Sequence, residues 1–129
     1  MIKNAEESIV IMTTAHGLIR KADSLKNSLE KAKKKGVKIR IAAPINKQTQ
    51  KAVKELSKCA EIKNTNEKAR FCIIDGKEIA FMLLDDEKVH PTYDSGVWIN
   101  TKFYAETLNN FFEACWTKMK PAGKYMKAQ

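Results

Sequence analysis

The sequence predicts an α/β fold on a mixed sheet, with a parallel strand–helix–strand start, an antiparallel hairpin and flanking helices. Three observations carry that expectation. Residues 8–13, Ser-Ile-Val-Ile-Met-Thr, are a short β-branched run of the kind buried on both faces of a sheet. Leu18, Ala22, Leu25, Leu29 and Ala32 then recur at steps of four, three, four and three, which is one stripe of a helix, before residues 37–42 alternate as a strand. Strand, helix and strand in that order imply a right-handed parallel crossover. Farther on, Asp75-Gly76 interrupts two β-type runs, residues 70–74 and 78–83, and marks an antiparallel hairpin.

The remaining elements follow from punctuation. Lys21, Lys26, Lys31 and Lys33 fall on the outer face of the first helix, and Gly36 stands where a helix C′ residue belongs, after a lysine-rich last turn that suits the dipole. Pro44 marks the exit from the second strand. Residues 49–57 suit a helix with Ala52, Val53 and Leu56 inward, and residues 60–63 a weak third strand. Residues 64–67 turn the chain. Residues 85–94 are charged and contain Pro91, which predicts an exposed loop, and residues 95–100 form a further strand. The closing helix, about residues 103–119, presents Phe103, Leu108, Phe111, Phe112, Cys115, Trp116 and Met119 as one wide aromatic face. One domain over residues 1–129 is expected, with a lead-in at 1–7 and a mobile basic tail at 120–129.

Charge is distributed unevenly. Residues 1–68 carry 16 basic and 7 acidic side chains, whereas residues 69–129 carry 8 of each, so the whole net charge of +9 belongs to the first half. One face should therefore be electropositive and attract anions. Cys59, Cys72 and Cys115 are odd in number and lack a C-x-x-C pair, which argues against a disulfide framework and against zinc; Cys72 and Cys115 fit small core positions. Neither a metal nor a cofactor is expected. No run approaches the roughly 20 apolar residues that a membrane span needs, and Met1-Ile2-Lys3-Asn4 does not begin a signal peptide. A cytoplasmic protein without membrane contact is the expectation.

The stretch that bears on chemistry is Lys68-Ala69-Arg70-Phe71-Cys72-Ile73-Ile74-Asp75-Gly76. Its spacing resembles the H-x-K-x4-D motif of the phospholipase D superfamily, with Lys68, Arg70 and Asp75 in the places of His, Lys and Asp. The run Gly36-Val37-Lys38-Ile39-Arg40 after a lysine-rich helix, Phe71 to Gly76, and Gly96-Val97-Trp98-Ile99-Asn100 followed by Phe111-Phe112-Glu113-Ala114-Cys115-Trp116 are similar to a half-domain of that superfamily. They are most similar to the degenerate phospholipase D-like C-terminal domain of archaeal TrmB-like transcription regulators. The resemblance covers nearly all of residues 5–118.

It implies a phospholipase D-like mixed sheet and a non-catalytic effector-sensing or dimerisation domain of a transcription regulator. A homodimer paired about a two-fold axis so that the motifs meet also follows, with DNA reached through a winged-helix domain not present in this chain. Such a chain would be an excised C-terminal domain or a stand-alone relative. Lysine at physiological pH is a hydrated cation and cannot replace an imidazole that attacks phosphorus, so no catalytic residue is assigned. Arg70, by contrast, is a fork that suits oxyanions.

A small anionic ligand is expected at Lys68, Arg70, Asp75 and Asn100, with Thr13, His16 and Asn46 leaving the carboxyl ends of the first two strands toward the same crevice. Plain roles compete: Asp75 is favoured before Gly76 in any tight turn, Arg70 alternates with Phe71 and could face solvent, and His16 could serve as a local cap. Trp98 and Trp116 read as core or dimer-interface aromatics before stacking platforms. Two other functions compete with this one. A non-specific nucleic-acid-binding module would use Lys26, Lys33 and Lys34 against phosphates. A phosphodiesterase would need His16 or His90, neither of which has H-x-K spacing.

Overall fold

A computed structural model describes residues 4–66, 69–82 and 96–121. Lys68, His90, the 85–94 loop with Pro91, and most of the 120–129 tail lie outside the described residues. The elements run β1 (Ser8–Met12), α1 (Ala15–Ser24), α2 (Lys26–Lys34), β2 (Lys38–Ala43), α3 (Gln50–Leu56), β3 (Glu61–Asn64), β4 (Phe71–Ile74), β5 (Glu78–Met82), β6 (Gly96–Asn100) and α4 (Lys102–Trp116). The sheet order is β3-β2-β1-β4-β5-β6; β1, β2 and β3 are parallel, and β4, β5 and β6 are added antiparallel. The mixed sheet, its parallel start and its hairpin are those the sequence predicts.

Two cores sandwich the sheet. Ile9, Ile11, Ile39, Ile41 and Ile74 point to one face and pack with Leu18, Ala22, Leu29, Val53 and Leu56 of α1–α3. Val10, Met12, Phe71, Ile73 and Ile79 point to the other and pack with Ala105, Phe112 and Trp116 of α4. This is the two-residue period of a strand buried on both faces, and it explains why β1 carries no charge.

The long helical stripe is correct but the helix is two. Leu25, with φ −111° and ψ −4°, is at once the C-cap of α1 and the N-cap of α2. Ser24 Oγ donates to the Arg20 carbonyl at 2.9 Å, a back-bond of the sort that bends helices. At the far end Gly36 has φ +90° and ends α2 as its position predicts.

The closing helix is narrower than expected. Ala105, Phe112 and Trp116 are buried, whereas Phe103 is 73% and Phe111 51% exposed. Adjacent residues stand about 100° apart on a helix, so Phe111 and Phe112 cannot both face one sheet. Arg40 of β2 pins the buried stripe: it pairs with Glu113 and lies 5.2 Å from the Phe112 ring and 5.6 Å from the Trp116 ring.

Candidate functional site

The carboxyl ends of β1, β2 and β3, the start of β4 and the end of β5 share one edge of the sheet, because β4 runs against β1 and β5 against β4. Thr13 and Arg70 flank the last β1–β4 pair, Met12 with Phe71, so the register sets them opposite one another. Both are buried, Thr13 completely and Arg70 to 7% exposure, so Arg70 is not the solvent-facing strand residue that alternation allowed. Burial of a guanidinium at a sheet edge concentrates positive charge there.

Thr14 caps α1, accepting the Gly17 N–H at 3.1 Å, and Gly17 is a glycine for lack of room. A Cβ there would fall 2.1 Å from Thr13 Oγ1. The lane left open is used by Lys21, whose Nζ reaches back to Thr13 Oγ1 at 3.3 Å. Lys21 was expected to face outward; it instead brings a second cation to the Thr13–Arg70 edge. Nothing in the sequence period could show this, since a long flexible side chain can fold back along its helix.

The other candidates divide. His16 is exposed on the first turn of α1, beside this edge. Asn46 follows β2 there, but its Oδ1 accepts the Gln48 and Thr49 N–H groups at 2.9 and 3.1 Å, a local turn that occupies the carboxamide. Asp75 and Asn100 do not converge with Arg70. Asp75 lies beyond the opposite end of β4, about 16 Å away along the strand, and Asn100 pairs with Glu78 at that same far edge. Thr13, Thr14, Lys21 and Arg70 therefore lie near one another at this edge, with His16 on the adjoining helical turn.

Asp75 has a different task. Its carboxylate accepts the backbone N–H groups of Glu6, Glu7 and Ser8 at 2.7–3.2 Å. Loss of solvent acts to raise its pKa, but the N–H groups of Ser8, Glu7 and Glu6, helped by Lys77, outweigh this and hold the carboxyl below its usual value. Asp75 and Gly76 have φ +54° and +66°, backbone that Asp and Gly tolerate. The turn role weighed for Asp75 is the one the geometry supports. Cys72, on the motif strand, is chemically quiet, because burial pushes its thiol up to about 12 and keeps it protonated near neutrality.

Comparison with solved structures shows the same chain path elsewhere. Nuc from Salmonella typhimurium, a phospholipase D family member, superposes with a TM-score of 0.73 at 18% identity, over 93% of this chain and 84% of Nuc. The fold is phospholipase D-like. NucT from Helicobacter pylori gives a TM-score of 0.65 at 16% identity, over 93% of this chain and 85% of NucT. TrmBL2, described as an archaeal chromatin protein with a novel mode of DNA binding, gives 0.72 at 21% identity. That match takes in 92% of this chain but 46% of TrmBL2, so the chain spans about half the length of that relative. No protein-family profile and no curated sequence matches the chain.

Two features of this phospholipase D-like domain escaped the sequence reading besides Lys21. A groove of about 460 Å³ opens between α4 and the outer strands, lined by Ile79, Phe81, Ile99, Tyr104, Leu108 and Phe111 among others. Its signal was present in the alternation Ile79, Phe81 and Val97, Ile99, which needed the β5–β6 register to become one surface. A smaller polar cleft of about 380 Å³ lies at the end of β3 between Asn64, Thr65 and Asn66 and the lysines Lys118 and Lys120. Among the described residues no group of three or more His, Cys, Asp or Glu could hold a metal, and no helix is long and apolar enough to cross a membrane.

Proposed function

We propose that this chain is a non-catalytic regulatory domain of a transcription regulator, one that holds two copies together and keeps a residual anion site at the Thr13–Arg70 edge. The observation that carries the reading is the apolar margin around β6. Trp98, Phe103, Tyr104 and Phe111 are each more than half exposed, and Ile99 is partly so. The edge strand between them, Gly96–Asn100, holds no charged residue.

An uncharged, β-branched and aromatic edge is a template for pairing with another strand, and isolated proteins normally blunt such edges. These five side chains offer roughly 600 Å² per copy on usual side-chain areas. Two copies would cover about 1,200 Å², the lower end of what a stable dimer needs. The margin lies two strands from Arg70, which favours pairing at the end of the sheet over the motif-to-motif arrangement that the resemblance implied. Likeness to TrmBL2, an archaeal chromatin protein, over nearly the whole chain supports a role in association with DNA.

Light scattering of the purified chain tests the assembly: a dimer mass is expected, reduced to the monomer mass by Trp98→Glu with Phe103→Glu. A monomer mass at high concentration in the parent protein overturns it. Incubation with a chromogenic phosphodiester across pH tests the chemistry. Turnover above that of Lys68→Ala would show that the lysine at the nucleophile position does not mark a silent site.

A further inference from the structure

α1, α2 and α3 all lie on one face of the sheet, since their buried residues share a single core with Ile9, Ile11, Ile39 and Ile41. The segments that form this layer, residues 15–35 and 46–58, carry 11 basic and 3 acidic side chains, so one side of the molecule holds +8 of the chain's +9. Lys31, Lys33, Lys34, Lys51, Lys54 and Lys58 are exposed on it. None of the six makes an ion pair among the described residues. A solvated helix face usually mixes its signs and pairs them along the helix; here basic side chains outnumber acidic ones by 11 to 3.

We propose that the outer surface of α1–α3 is a contact surface for the phosphate backbone of duplex nucleic acid, used without regard to base sequence. The chemistry of the face selects this partner among polyanions. Single strands are held by aromatic rings on which bases stack, and residues 1–70 contain no Phe, Tyr or Trp at all. An anionic membrane calls for exposed apolar side chains beside the lysines, yet Leu18, Leu29, Val53 and Leu56 are turned into the core.

Sequence readout favours arginine forks against guanine edges, whereas ten of the eleven basic residues are lysines, compact charges on flexible stems that follow a backbone without fixed geometry. Neutralising phosphates in this way releases counterions, and the binding must weaken steeply with salt.

The lysines of this surface are not among the side chains of the β6 margin, of which Phe103, Tyr104 and Phe111 stand on α4 across the sheet, so the two readings are tested by different residues: a monomer that binds duplex supports the one and overturns the other. The test is fluorescence anisotropy of the parent chain with several unrelated 20-base-pair duplexes, a 20-nucleotide single strand and phosphatidylserine vesicles, over a salt series. Duplex binding that is equal across sequences and tighter than to the single strand or the vesicles is expected. The triple variant Lys33→Glu, Lys51→Glu, Lys54→Glu, checked for parental circular dichroism, should lose at least tenfold in duplex affinity, and its salt slope should shrink by about 2.7 if three phosphate contacts are lost. Lys118→Glu with Lys120→Glu, on the other side, should change affinity less than twofold. No duplex binding at low salt, undiminished binding by the triple variant, or preference for the single strand or vesicles overturns the proposal.

Discussion

Asp75 and Ser8 bind each other reciprocally: the Asp75 N–H donates to the Ser8 carbonyl at 2.8 Å, and the Ser8 N–H donates to the Asp75 carboxylate at 2.9 Å. The residue that closes the motif is thus a clamp that fixes the start of β1 against the end of β4, with Glu6 and Glu7 held by the same carboxylate.

Removing that clamp should cost stability. Hydrogen bonds to a charged acceptor contribute about 1.5–3 kcal/mol, and partial solvent exposure lowers this, so Asp75→Ala is expected to destabilise by about 1–2 kcal/mol in urea unfolding. Asp75→Asn keeps a side chain tolerant of positive φ and should cost less. The folded carboxyl lies below its ordinary 3.8, so its contribution is complete above that pH and is lost as pH falls through the lower folded value. Asp75→Asn should therefore flatten the stability curve below about pH 4; an unchanged acid limb would contradict the clamp.

Gly17 and Thr13 should be coupled. Gly17→Ala drives a methyl into Thr13 Oγ1, and overpacking of this kind costs about 1–3 kcal/mol. Thr13→Ala removes the obstructing oxygen, so the double variant should be more stable than the two single losses combined predict. Strict additivity in thermal or urea unfolding would show that the helix entry relaxes without strain.

Arg70 is the residue expected to carry anion affinity. In calorimetric titration with phosphate and sugar phosphates, Arg70→Ala should weaken binding by about 1.5–3 kcal/mol, the range for a charge-assisted hydrogen bond. Arg70→Lys retains the charge but not the fork and should fall between. Parental affinity in both variants would make the motif a relic and the domain a scaffold alone.

The two adjacent phenylalanines of α4 should separate folding from assembly. Phe112 is fully buried, stacks on Trp116 at 5.3 Å and meets Phe71 edge-on at 6.4 Å, so Phe112→Ala should cost about 3–5 kcal/mol of stability. Phe111→Ala should cost less than about 1 kcal/mol in the monomer and act instead on the dimer mass. Equal effects of both on unfolding would mean that the margin is packed within one copy.

The sequence by itself determined the order of elements, the parallel start, the Asp75-Gly76 hairpin and the end of α2 at Gly36. These depend on local causes: side-chain period, turn chemistry and backbone tolerance. It also determined the charge imbalance of the first half. Tertiary structure decided where those residues meet. Antiparallel addition of β4 carried Arg70 to Thr13 and Asp75 to the opposite edge, a separation that motif spacing cannot express because it counts residues rather than direction. Packing decided that Lys21 folds back over Gly17, that Phe112 enters the core while Phe111 does not, and that the lysines of α1, α2 and α3 share one face. The last two depend on contacts between residues far apart in the chain, and the Lys21 contact on a side-chain conformation within one helix entry; no local period encodes either.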